Sequence, residues 1–153
     1  MKKVFENFFA EIYDISDEIP HTVFAYWKGF LTLENQDAVD ACQFSLDYFK
    51  EAGIKVMISD HVHLEGATVE FLDWLHAYYF PTCVANGLLS EIVLESAHDI
   101  GNITLDLMYD KEDLQKYLKA NTLYTPKVKG LDKAKQLARA IVEEAYQTNC
   151  ANG

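Results

Sequence analysis

Apolar residues along this chain recur with two periods, alternating in some stretches and stepping by three and four in others, and the switches between them mark the elements. Val4 to Asp14 is rich in aromatic and branched residues and gives way to Ser16-Asp17-Glu18 and Pro20, which predicts a first strand and a turn. Thr22 to Leu31 puts Val23, Ala25 and Trp27 on one face and Phe24, Tyr26 and Lys28 on the other, a second strand hairpinned to the first. From Asn35 to Ala52 the positions Val39, Cys42, Leu46 and Phe49 share a helical stripe, acids sit at the front end and Gly53 supplies a stop. Ile54, Val56, Met57 and Ile58 then form a buried central strand reached by a crossover, ending at Asp60 and followed by the loop His61-Val62-His63-Leu64-Glu65-Gly66.

Thr68 is placed to cap a helix carrying Phe71, Leu72, Leu75 and Tyr79, and Pro81 ends that helix or opens a further turn closing at Asn86-Gly87. Ile92-Val93-Leu94 reads as another short strand. Ile103, Leu105, Leu107 and Tyr109 alternate as in a half-exposed strand, and a short helix is expected from Lys111 to Lys119. Asn121 to Gly130 is the one stretch with linker character, and Leu131, Ala134, Leu137, Ala138, Ile141, Val142 and Ala145 form the stripe of a closing helix. The expected fold class is α/β, with a single mixed β-sheet, helices packed on it and a C-terminal amphipathic helix. The expected organisation is one domain over residues 1–122, with residues 123–153 as linker and a helix docked on the same domain.

Composition adds limits on partners. The 153 residues include 13 Lys plus Arg against 24 Asp plus Glu, a formal net charge of −11, which repels nucleic-acid phosphates and anionic membrane surfaces. The charge is uneven: residues 1–110 hold 5 basic and 19 acidic side chains, while residues 111–153 hold 8 and 5. The basic side of the tail, Lys127, Lys129, Lys133, Lys135 and Arg139, suits the acidic body of a second subunit, which leaves a homodimer open. The three cysteines, Cys42, Cys83 and Cys150, are widely spaced with no Cys-x-x-Cys pair. With no apolar run long enough for a signal core or a membrane span, the expected setting is a reducing cytoplasm.

The hairpin with Tyr26-Trp27-Lys28-Gly29, the helix before Gly53, the strand Lys55-Val56-Met57-Ile58-Ser59-Asp60, and Asp73-Trp74-Leu75 through Phe80-Pro81 to Gly87 resemble the STAS, or SpoIIAA-like, domains of anti-sigma-factor antagonists and sulfate transporters. The resemblance covers roughly residues 4–120 and implies a non-catalytic regulatory or binding module. In phosphorylated members of that family a serine opens the helix after this strand, within an Asp-Ser-Ser-Gly or Asp-Ser-Thr-Gly loop. Here the stretch reads His63-Leu64-Glu65-Gly66-Ala67-Thr68, so that serine switch does not carry over. A phosphate on Thr68 would meet Glu65 and Glu70.

Asp60, His61, His63 and Glu65 are the one cluster with metal-ligand chemistry, because His61, His63 and Glu65 would share one side of an extended segment, with His76 or His98 as further ligands if the fold brings them close. The same alternation arises at a solvated strand end with Val62 and Leu64 packed inward. Ser59 lacks a nucleophile elbow, Cys83 lacks a marked partner, and no glycine-rich phosphate loop occurs, so neither a catalytic set nor a cofactor is expected. The expected function is a STAS-like module binding a protein or a small apolar ligand, with Asp60, His61, His63, Glu65 and Thr68 as contact surface. The alternatives are a small metal-dependent enzyme using the His61/His63/Glu65 loop, and carriage of a lipid or other apolar ligand.

Overall fold

The computed structural model describes residues 1–109 and 123–152, the last five by backbone alone. The helix expected over Lys111 to Lys119 lies outside the described residues.

Where the pattern predicts one strand from Val4 to Asp14, the chain makes two, β1 (Lys2–Glu6) and β2 (Ala10–Asp14), paired antiparallel. Asn7 is the reason. Its side-chain oxygen accepts from the backbone N–H groups of Phe9 and Ala10 at 2.9 and 3.1 Å, closing a tight Asx turn inside what reads as one apolar run. β3 (Thr22–Leu31) pairs antiparallel with β2, and its predicted alternation holds: Val23, Ala25 and Trp27 enter one core and Phe24 the other.

Helix α1 (Gln36–Ala52) starts at Asn35, whose side chain accepts from Asp37 N, and stops at Gly53, which takes the left-handed conformation at φ 65°. The crossover leads into β4 (Val56–Ala67), parallel to β3. The expected loop over His61 to Gly66 is therefore strand. α2 (Val69–Trp74), a π-helical turn (Leu75–Tyr79) and α3 (Phe80–Ala85) follow as one winding segment, with Pro81 in the first turn of α3 where its missing N–H is tolerated.

β5 (Ser90–Leu94) adds parallel to β4. The half-exposed strand expected at Ile103 to Tyr109 is instead helix α4 (Asp99–Met108), which buries Gly101, Thr104, Leu105 and Met108 and leaves Ile103 and Leu107 outward. Two-residue alternation of large apolar side chains thus masked a 3.6-residue period carried partly by Gly101 and Thr104. Ser96 sets the entry: its N–H and C=O bond reciprocally to the Asn102 side chain, and its hydroxyl donates to Leu64 O at 2.7 Å. Gly101 is required by the packing, since a Cβ there would lie 2.3 Å from Leu64 O.

Within the expected linker, β6 (Lys127–Val128) pairs parallel with β5 and completes a mixed sheet of order β1-β2-β3-β4-β5-β6. Helix α5 (Leu131–Asn152) closes the described chain. The sheet separates two cores. Side chains of α1 to α4 pack on one face, around Trp27, Leu46, Phe49, Met57 and Phe71; on the other face Ala134, Ala138 and Val142 of α5 meet Ile15, Phe24, Ile58 and Ile92. Lys135 fastens α5 to the β2–β3 connection through Glu18 at 2.8 Å. No helix among the described residues is long and apolar enough to cross a membrane.

Candidate functional site

The expected contact residues do not converge. β3 and β4 pair Tyr26 with Asp60 but Lys28 with His63, so β4 advances three residues while β3 advances two: a β-bulge at His61–Val62. Asp60 holds the bulge, its Oδ1 accepting from Val62 N at 2.9 Å. The bulge breaks the alternation on which a shared His61/His63/Glu65 face depends. His61 and Leu64 turn into the core, whereas His63 and Glu65 are exposed. His76 is spent on Leu107 O at 3.2 Å, and His98 is the cap residue of α4. Among the described residues no group of three His, Cys, Asp or Glu side chains is placed to hold a metal ion. Thr68 accepts from Phe71 N at 3.2 Å, so its hydroxyl serves as the N-cap of α2.

His61 belongs to a different constellation. Its Nδ1 lies 2.9 Å from Leu94 O; a carbonyl only accepts, so Nδ1 carries the proton, and burial holds the pKa down at about 4. Its ring meets that of Tyr109 edge-on, centroids 6.2 Å apart.

Beside it, three parallel strands and the end of α4 assemble a buried polar chain. Trp27 on β3 donates from Nε1 to Ser59 Oγ on β4 at 3.2 Å; Ser59 donates to Glu91 Oε2 on β5 at 2.7 Å; Tyr109 donates to Glu91 Oε1 at 2.6 Å. Residues two apart on each strand share a face, so Ser59 and His61, and Glu91 and Val93, all look toward α1 to α4. Glu91 is 2% exposed. Burial raises its pKa, while the Tyr109 and Ser59 hydroxyls pull it back down. No lysine or arginine pairs with it among the described residues.

Above this chain lies a cavity of about 30 Å³, bounded below by Trp27, His61 and Glu91 and above by Phe71, Tyr79 and Met108. A single water requires roughly 10–15 Å³, so the space admits one; anything larger must displace side chains of the helical roof. The π-turn shapes that roof. Its Phe80 N–H reaches back five residues to Leu75 O, one residue more than an α-turn, and π-turns of this kind recur at functional sites. Tyr79, at the end of the turn, is buried, and its Oη has no hydrogen-bond partner. The Cys83 thiol interacts with this hydroxyl, which draws the thiol's pKa down against the effect of burial. Burial pushes the Tyr79 hydroxyl and both the Cys42 and Cys83 thiols up, so all three stay protonated at neutral pH.

No protein-family profile, curated protein or solved structure matches this chain. The site therefore rests on its own geometry.

Of the residues at this site, His61 belongs to the contact surface expected from the sequence, and Trp27 to the hairpin aromatics suited to lining an apolar pocket. Glu91 carried a signal, an acid entering a run that continues Ile92-Val93-Leu94, where a buried strand tolerates a charge only with partners. Ser59 was visible only as a serine without a nucleophile elbow. Tyr79 and Tyr109 read as apolar stripe members, and no local pattern reports that one hydroxyl finds Glu91 and the other finds nothing.

Proposed function

We propose that this chain is a non-catalytic binding module of STAS-like type, and that its ligand is small and mainly apolar and occupies the cavity beneath α2, the π-turn, α3 and α4. The observation that carries this reading is the unpartnered Oη of Tyr79 in an apolar roof. A buried hydroxyl without a partner costs roughly 1–3 kcal/mol, a penalty that a ligand atom would relieve. Binding pockets commonly combine apolar walls with a few placed polar groups, and here Leu31, Leu64, Leu75 and Met108 stand beside Tyr79 and the Trp27–Ser59–Glu91–Tyr109 chain.

Trp27 lines the cavity and Trp74 packs against the roof residues Phe71 and Tyr79, so tryptophan emission reports occupancy. Titration with short-chain amphiphiles should change emission saturably, and Cys42→Leu, which fills the cavity, should abolish the response. A chain that responds to none of them, and releases no small molecule into an organic extract, has no ligand site here.

A second reading, protein docking on the end of β4, is favoured by the exposed side chains of His63 and Glu65 and by apolar Phe30 and Ile100, which flank Gly66 of the same strand and are exposed at 45% and 64%. His63→Ala/Glu65→Ala should then reduce partner recovery in a pull-down at unchanged melting temperature; undiminished recovery removes this surface.

A further inference from the structure

We propose that the cavity, opened by displacement of side chains in its helical roof, selects an organic cation: an amine whose ammonium group meets Glu91 and whose apolar body lies among the aromatic side chains of the roof and walls. This deepens the binding reading above and rests on it.

Buried carboxylates in proteins are normally matched by a cation, yet no lysine or arginine lines the cavity and none pairs with Glu91 among the described residues. The two hydroxyls that reach Glu91 arrive one at each oxygen, Ser59 on Oε2 and Tyr109 on Oε1. Both donate, which favours the ionised form against the burial that raises the group's pKa, and a carboxylate retains further lone pairs for a third donor. Tyr79 Oη, also unspent, can accept one N–H of the same ammonium.

The walls point the same way. Trp27, Phe71, Tyr79, Phe80 and Tyr109 all line the cavity. Their ring faces carry partial negative charge and attract cations, most strongly where water is excluded. An anionic head would face Glu91, and among the described residues no lysine or arginine lines the cavity to offset it. A neutral alcohol would satisfy Tyr79 but leave the carboxylate unmatched. The net charge of −11 adds a field that concentrates cations around the whole chain.

The test uses three probes of equal chain length: hexylamine, hexanol and hexanoate. Tryptophan emission of the full chain at neutral pH should give an apparent Kd for hexylamine at least tenfold below that for hexanol, with hexanoate weaker than both. Glu91→Gln should erase the tenfold preference while hexanol still binds, which separates this inference from general attraction of amines to an acidic surface. Should Glu91→Gln fail to fold, ¹³C-carboxyl spectra of glutamate-labelled wild type serve instead, with one buried resonance moving for hexylamine and not for hexanol. Equal binding of amine and alcohol, an amine preference retained by Glu91→Gln, or no amine-specific carboxyl shift overturns the cation proposal while leaving the pocket standing. Failure of all three probes to bind overturns the pocket itself.

Discussion

Tyr109 closes the buried chain on Glu91: its hydroxyl donates to Oε1 at 2.6 Å, joining the end of α4 to the centre of β5. The contact ties the C-terminal end of α4 to the sheet, while Ser96 fixes the opposite end of the helix. Leaving a buried acceptor without its donor costs roughly 1–3 kcal/mol, and Tyr109→Phe should lower unfolding free energy by about that amount. The same variant should raise the Glu91 pKa further, since one of its two stabilising donors is gone. Denaturant titration and carboxyl chemical shifts measure the two effects.

Tyr79→Phe should behave oppositely. It deletes an unpartnered hydroxyl and leaves the ring packing, so the ligand-free protein should be unchanged or more stable by about 1 kcal/mol. Ligand affinity should fall in the same variant. A large loss of stability would mean that Oη has a partner in solution.

His61 makes stability depend on pH. Its folded pKa, about 4, lies below its ordinary 6.5, so the unfolded chain takes up the proton first as pH falls. Full stability is present above 6.5 and is lost between 6.5 and 4, by about 3 kcal/mol if no other group intervened. Glu91 carries the opposite sign: its raised pKa penalises the fold at high pH, and the penalty fades as pH drops toward the ordinary carboxylate value. His61→Gln should therefore flatten the acid limb of a stability-pH curve, and Glu91→Gln should steepen it.

Gly101→Ala should destabilise by roughly 1–3 kcal/mol, because the new methyl meets Leu64 O and the Ser96 hydroxyl at 2.3 Å and α4 must shift off β4. The shift would also open the cavity wall at Met108. Thermal unfolding checks the first effect and tryptophan emission the second.

Thr68→Ala removes the cap of α2 and should cost about 1 kcal/mol, whereas Thr68→Ser and Thr68→Asp should stay close to wild type, since each keeps an acceptor for Phe71 N. A deficit in the serine variant as large as in the alanine variant would place the role of Thr68 in its methyl group.

Local periodicity alone determined much of the framework: the alternation of β3, the stripe and Gly53 stop of α1, the apolar run of β4, the Thr68 cap and the closing stripe of α5. Each is set by residues within one or two turns of each other, so the pattern contains its cause. The Asn7 turn and the path of α4 were harder to read because single side-chain bonds, from Asn7 to Ala10 N and from Asn102 to Ser96, overrode an apolar alternation. The sequence likewise marked His61, His63 and Glu65 as notable but could not orient them. One extra residue in β4 relative to β3 reversed which of them faces the core, and that offset is a property of two strands paired across more than thirty positions. Tertiary structure alone decided that Trp27, Ser59, Glu91 and Tyr109 form one chain and that Tyr79 is left without a partner, because those relations exist only where four separate elements meet around one buried carboxyl group.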